Sequence, residues 1–217
     1  LKKKKELISE LDVLLEQPAV NFHEGLQRIL FFNQYMWQTR HGLNGLGRLD
    51  KILDALYKEN LASGVITKKS AYAMICDFLN VLSKWYLYKS SSLPGDIGQI
   101  IVLGGKETDG SYFSNDLTYL FLQAQAEMKK PDPKILLRVS NNMPDDLMRD
   151  AVKALTNATG SPLFSNDDIV IPQLEQFGIP ADDSYDYCVS ACWEPFISGK
   201  SLDQNNIKAF DFYSPLD

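Results

Sequence analysis

Two side chains near the C-terminal end of the sequence carry the most chemistry. Cys192 and Glu194 stand two positions apart, with Trp193 between them and Pro195 following, at the end of a β-like run over 185–190. A thiol can give up and take back a hydrogen atom, and a carboxylate can accept a proton. In an extended segment side chains alternate with period two, so the spacing predicts that both groups point the same way.

Other groupings are weaker. Cys188 and Cys192 have C-x3-C spacing, but no further Cys or His lies nearby to complete four metal ligands, and no third cysteine follows as a radical-SAM cluster needs. No metal site is expected. Gly199-Lys200-Ser201 ends like a phosphate-binding loop, yet the position that needs the first glycine is Glu194, whose charge opposes a phosphate. The two histidines are His23 and His41. His23 reads as an ordinary helix residue. His41 opens a glycine-rich stretch and is the candidate substrate-pocket residue. Either could serve a cysteine hydrolase as base, but nothing local supports that reading. Asn115, Asp116, Asn166, Asp167 and Asp168 read by type as cap and turn residues.

Composition narrows the class. The 217 residues are 45% hydrophobic and 23% charged, which suits a globular protein with a sizeable core. A net charge of −6 disfavours nucleic acid as a main partner. No apolar run is long enough to cross a bilayer, and Leu1 with four lysines after it does not resemble a secretory signal. Three cysteines suit a reducing, cytoplasmic setting better than a disulfide scaffold. The first residue is not methionine, and the chain is read as a piece of something longer.

The elements that must position Cys192 and Glu194 divide at about residue 90. Residues 1–89 read as a helical region. Leucines recur at helical spacing before Pro18, Asn21 and Glu24 have capping-box spacing ahead of a helix to about Thr39, and Thr67 caps another to about Tyr88. The glycine-rich 41–47 reads as a tight or irregular connection, with a helix resuming at Arg48. Residues 90–217 read as strand–helix units. Strands are predicted at 99–103, 134–139, 169–171 and 185–190, and helices at 114–128 (capped by Ser114), from Pro144 to about Asn157, and 172–177. That order implies a parallel sheet, with Cys192 and Glu194 just past the carboxyl end of a strand.

Several stretches, in order, resemble the glycyl radical enzymes of the pyruvate formate-lyase-like family. They are Phe22–Gln27, Gly47–Asp50, Leu103–Gly105 with Asp109-Gly110 and Asn115–Leu120, Leu137–Val139, Gly160–Asp167, and Ala191-Cys192-Trp193-Glu194-Pro195. The last is similar to the family's G-C-V-E-P cysteine loop. The resemblance covers the chain from Asn21 to about Phe210.

The resemblance implies an α/β fold that forms part of a ten-stranded barrel built from two parallel half-barrels. It implies that Cys192 is the cysteine that becomes a thiyl radical, and that Glu194 matches the glutamate of the C-x-E subgroup of dehydratases, C–N lyases and arylacetate decarboxylases. It further implies an organic glycyl radical, installed by a radical-SAM activase, and a small hydroxylated substrate. The family's radical glycine lies in an R-V-x-G-Y loop that this sequence does not contain. The glycine is therefore expected from a missing C-terminal segment, and the isolated chain is expected to be inactive. Pyruvate formate-lyase has two adjacent cysteines where this chain has Ala191-Cys192, which disfavours a formate C-acetyltransferase-like activity. The reading from another class is a non-catalytic, truncated homologue acting as a structural or interaction module. Leu30, Phe31, Phe32, Met36 and Trp37 are expected to form a sticky face that drives homo-oligomerisation.

Overall fold

The computed structural model describes residues 17–38, 44–84, 98–157 and 159–201. His41, the leucine repeat before residue 17 and the breaker cluster at 90–95 lie outside them. In chain order the elements are α1 (Phe22–Gln38), β1 (Gly45–Arg48), α2 (Leu49–Ile52), α3 (Asp54–Ala62), α4 (Lys68–Lys84), β2 (Ile100–Leu103), β3 (Gly105–Lys106) and β4 (Tyr112–Phe113). There follow α5 (Asp116–Met128), β5 (Lys134–Val139), α6 (Asp145–Leu155), β6 (Leu163–Asn166), α7 (Asp167–Gln176), α8 (Ala181–Ser184), β7 (Tyr187–Ser190) and β8 (Glu194–Ile197).

The sheet has the order β1-β2-β5-β6, and all of its pairings are parallel. Each new strand adds beside the last after a crossover, which parallel pairing requires. Alternation along the strands divides the sheet into two faces. Ile101 and Leu103 of β2, with Ile135 and Leu137 of β5, join the core built with α1 to α6. Ile100, Val102 and Leu136 point to the other face, where they pack with Tyr187, Cys188, Val189 and Ile197. A one-residue slip would exchange the two sets. The sheet is therefore covered by helices on one side and by a β-hairpin on the other.

Local chemistry starts the helices as the sequence predicts. Asn21 Oδ1 accepts from the Glu24 N–H at 2.9 Å, and Glu24 Oε2 reaches back to the Val20 N–H. Thr67 and Ser70 cap α4 reciprocally. Asn115, not Ser114, caps α5, with its side chain accepting from Thr118 N–H.

Three expectations change. The end of the glycine-rich stretch is strand β1, and Arg48 both closes that strand and is the N-cap of α2, so the expected helix starts at the next residue. The first half thus supplies an edge strand of the sheet as well as helices. Ile169–Ile171 is helical, inside α7, because Asn166 caps that helix and Asp167 and Asp168 occupy its first turn, overriding the β-branched run. The last strand does not join the parallel sheet: β7 pairs antiparallel with β8.

Candidate active site

The β7–β8 hairpin carries both candidate catalytic residues. Ser190 pairs with Glu194, which leaves Ala191, Cys192 and Trp193 as the turn. Trp193 N–H donates to the Ser190 carbonyl at 3.0 Å and closes it. Ala191 (φ 43°) and Trp193 (φ 83°) are both left-handed, a conformation that costs a residue with a Cβ roughly 1–3 kcal/mol. Cys192 is thus held in a strained, defined turn. It is exposed.

This geometry corrects the sequence reading twice. Period-two alternation does not apply to Cys192 and Glu194, because one lies in the turn and the other begins β8. Nor does the pair sit at the carboxyl ends of the parallel strands. The carbonyls of Tyr185 and Tyr187 meet Arg138 near the end of β5, whereas the Val189 carbonyl and the Phe196 ring lie against Gly45, the first residue of β1. The hairpin therefore runs back across the sheet and carries its tip toward the amino ends. A Cβ on Gly45 would stand 2.8 Å from the Val189 oxygen, so the close approach needs glycine. The dry shelter that a sulfur radical needs is not supplied by the described residues, since Cys192 sits at an exposed tip.

Glu194 is half-buried, and its Oε2 is shielded from solvent without a hydrogen-bond partner among the described residues. An unpartnered carboxylate oxygen keeps an unused acceptor site two residues from the thiol. Cys188, by contrast, faces inward beneath the sheet. Burial pushes its thiol up, a hydrogen bond with Ser198 opposes that, and its Sγ lies 3.3 Å from Ser198 Oγ. Of the two hairpin cysteines, Cys192 is the accessible one.

Sequence reasoning missed the charged cluster at the root of the hairpin. Arg138 and Asp167 are fully buried and paired at 2.9 Å. Tyr187 Oη donates to Asp167 Oδ1 at 2.8 Å, and the Arg138 guanidinium lies 4.1 Å from the centre of the Tyr187 ring. Burial pushes the Tyr187 phenol up and the neighbouring Asp167 charge adds to it, so Tyr187 stays a donor. Beside it, buried Arg48 pairs with Glu107 at 2.9 Å and with Asp186 at 3.1 Å. Burial works against the Glu107 charge, but hydrogen bonds from Lys51 and Arg48 hold its carboxyl below the usual range. Asp50 is buried beneath, accepting from Gly104 N–H and the Thr118 hydroxyl, and burial pushes its carboxyl up. The available signal was an arginine inside the apolar run Leu136-Leu137-Arg138-Val139.

A groove of about 430 Å³ opens beside β8, between α1 and β1, with Phe32, Asn33, Met36, Asn44 and Phe196 on its walls. Among the described residues no cluster of three His, Cys, Asp or Glu side chains could hold a metal ion, and no helix is long and apolar enough to cross a membrane.

A family model described as pyruvate formate lyase-like matches residues 2–211. An isethionate sulfite-lyase of Nitratidesulfovibrio vulgaris is 28% identical over 188 residues, which cover 82% of this chain and 23% of that protein. A (2S)-3-sulfopropanediol dehydratase of Klebsiella oxytoca is 27% identical over 160 residues, covering 71% and 19%. A solved structure concerned with 1,2-propanediol dehydration in Roseburia inulinivorans superposes with a TM-score of 0.75 at 26% identity, covering 84% of this chain and 24% of that one. The chain thus spans about a quarter of the length of the curated relatives it matches.

Proposed function

Because the chain belongs to the pyruvate formate lyase-like family of glycyl radical enzymes, we propose that it is the cysteine-bearing part of a radical lyase or dehydratase acting on a small hydroxylated substrate. The observation that carries this reading is the hairpin that presents Cys192 at an accessible turn with the unpartnered carboxylate oxygen of Glu194 beside it in sequence. Named relatives that remove sulfite or water from small molecules support it.

The family's glycyl radical, installed by a radical-SAM activase, would supply the radical chemistry, taking the thiol hydrogen atom of Cys192 onto the glycine carbon. The exposed sulfur is reachable by a second backbone segment, so the residues present fit that role. Cys192 then takes a hydrogen atom from the substrate carbon that bears the hydroxyl. Glu194 accepts the hydroxyl proton as the leaving group departs with its bonding electron pair from the neighbouring carbon, and the product radical that remains takes a hydrogen atom back from the Cys192 thiol. Closure of the site by further segments would exclude water and strengthen that proton transfer. The partners that follow are the activase, the small substrate and, through the exposed Phe32, Tyr35 and Met36 of α1, a second copy of the chain. Leu30 and Phe31, also expected on this face, are half-buried, Leu30 against the helical core, while Tyr35 adds to it; the Trp37 side chain and the candidate pocket residue His41 lie outside what is described.

The test is anaerobic turnover of the encoding reading frame with a radical-SAM activase, on a vicinal diol and on a 2-hydroxysulfonate. Cys192→Ala is expected to abolish product, and Glu194→Gln to lower its rate by about 10²-fold or more. Product formation undiminished by Cys192→Ala would overturn the proposal.

A further inference from the structure

The tip that carries Cys192 lies at the far end of the hairpin, so its location depends on what fixes the root as well as on the Gly45 contact nearer the tip. We propose that Arg138, oriented by Asp167, is a positioning residue that fixes the root of the β7–β8 hairpin and through it the place of Cys192.

Four observations carry this. Arg138 spends its donors on both sides of the boundary: Nε and Nη2 reach Asp167, and Nη1 reaches the carbonyls of Tyr185 (2.9 Å) and Tyr187 (3.3 Å), where β7 begins. Asp167 is the hub, accepting also from the Lys106 N–H at 2.6 Å and the Tyr187 hydroxyl, itself 2.7 Å from Ser165. Three segments of chain, around β3, β5 and β7, thus meet at one carboxylate. The guanidinium has a built seat: a Cβ on Gly105 would come within 2.7 Å of Arg138 Cζ, and Gly105 adopts φ +126°. The Tyr187 ring, 4.1 Å from the guanidinium, is a further wall of the seat. Such a fork cannot be replaced by a lysine, which offers a point charge without the planar set of donors.

A cluster of this kind could equally be a stability element for the whole sheet. The distinguishing readout is local. The 217-residue chain, with Cys76→Ser and Cys188→Ser, carries one spin label on Cys192 and one on Lys153→Cys of α6. Pulsed electron resonance measures the distance between them, and amide exchange is followed in parallel. The wild-type root should give one narrow distance distribution. Arg138→Lys should broaden it. The double variant Arg138→Met/Asp167→Asn removes both charges, so that neither is left buried alone, and should also broaden it. In both, exchange over 187–190 and 194–197 should rise about tenfold or more while β2 and β5 stay protected.

A narrow, wild-type distribution in the double variant, rescue of the narrow distribution by lysine, a distribution already broad in wild type, or loss of protection throughout the sheet in both variants would each overturn the proposal. The measurement needs no turnover. The thiyl chemistry of Cys192 can therefore fail with the clamp upheld, and the clamp can fail with the chemistry upheld.

Discussion

The two faces of the sheet are stabilised by different physics. On the helical face, Ile101, Leu103, Ile135 and Leu137 meet Phe78, Phe121, Leu117 and Leu147 in a large apolar core. On the hairpin face a small apolar cluster sits beside a buried ion pair, a buried tyrosine and two arginines that grip backbone carbonyls. Apolar contact is non-directional and tolerates sliding, whereas charged hydrogen bonds fix direction and register. The scaffold is built from the first kind of interaction, and the element that carries Cys192 is located by the second.

The comparison can be broken at four places. Asp167→Ala strips the buried Arg138 of its counter-charge and should cost about 3–5 kcal/mol in denaturant titration. An effect below about 1 kcal/mol would mean that the hairpin face is held as loosely as an exposed ion pair. Leu137→Ala, in the fully buried helical face, should cost about 2–5 kcal/mol and shift global unfolding. Gly45→Ala places a Cβ against the Val189 carbonyl and the Phe196 ring and should cost about 1–3 kcal/mol, with faster amide exchange in the hairpin than in β2 and β5.

The smallest effect is a pH dependence. The Glu107 carboxyl is held below its ordinary value of 4.5 by Lys51 and Arg48 despite its burial. The unfolded chain therefore binds its proton at higher pH than the folded chain does. The stabilisation is complete above 4.5 and is lost as pH falls through the folded value beneath it. Glu107→Gln should flatten that acid slope, by no more than about 1 kcal/mol for a partly exposed group. An unchanged slope between pH 5 and 3 would remove Glu107 from the account.

The helical face was the legible one. Its strands β2 and β5 are β-branched and leucine runs, and its helices open at Asn21 and Thr67 with the capping chemistry that their types predict. The errors gathered where tertiary structure overrides local preference. β1 is written in glycines because Phe196 and the Val189 carbonyl press against it, and glycine spacing reads as a loop. Ile169-Val170-Ile171 has strand propensity, but a capped helix start decides its state. Asp167 looks by type like its neighbours, but Asn166 caps α7, Asp168 pairs with Lys106 and accepts from the Asn141 N–H, and only the fold shows that Asp167 alone of the three is fully buried. The candidate pair, Cys192 and Glu194, was read from residue type and resemblance. Its geometry was not, because alanine and tryptophan seldom take left-handed backbone, and nothing local announces a turn at Ala191 to Trp193.

In the proposed function the sulfur of Cys192 does the radical chemistry, and those of Cys76 and Cys188 do not. The direct measurement is anaerobic turnover by the activase-treated product of the encoding reading frame in three single variants, Cys76→Ser, Cys188→Ser and Cys192→Ser. The account predicts that only Cys192→Ser falls to background. Turnover surviving in Cys192→Ser, with loss in Cys188→Ser instead, would contradict it.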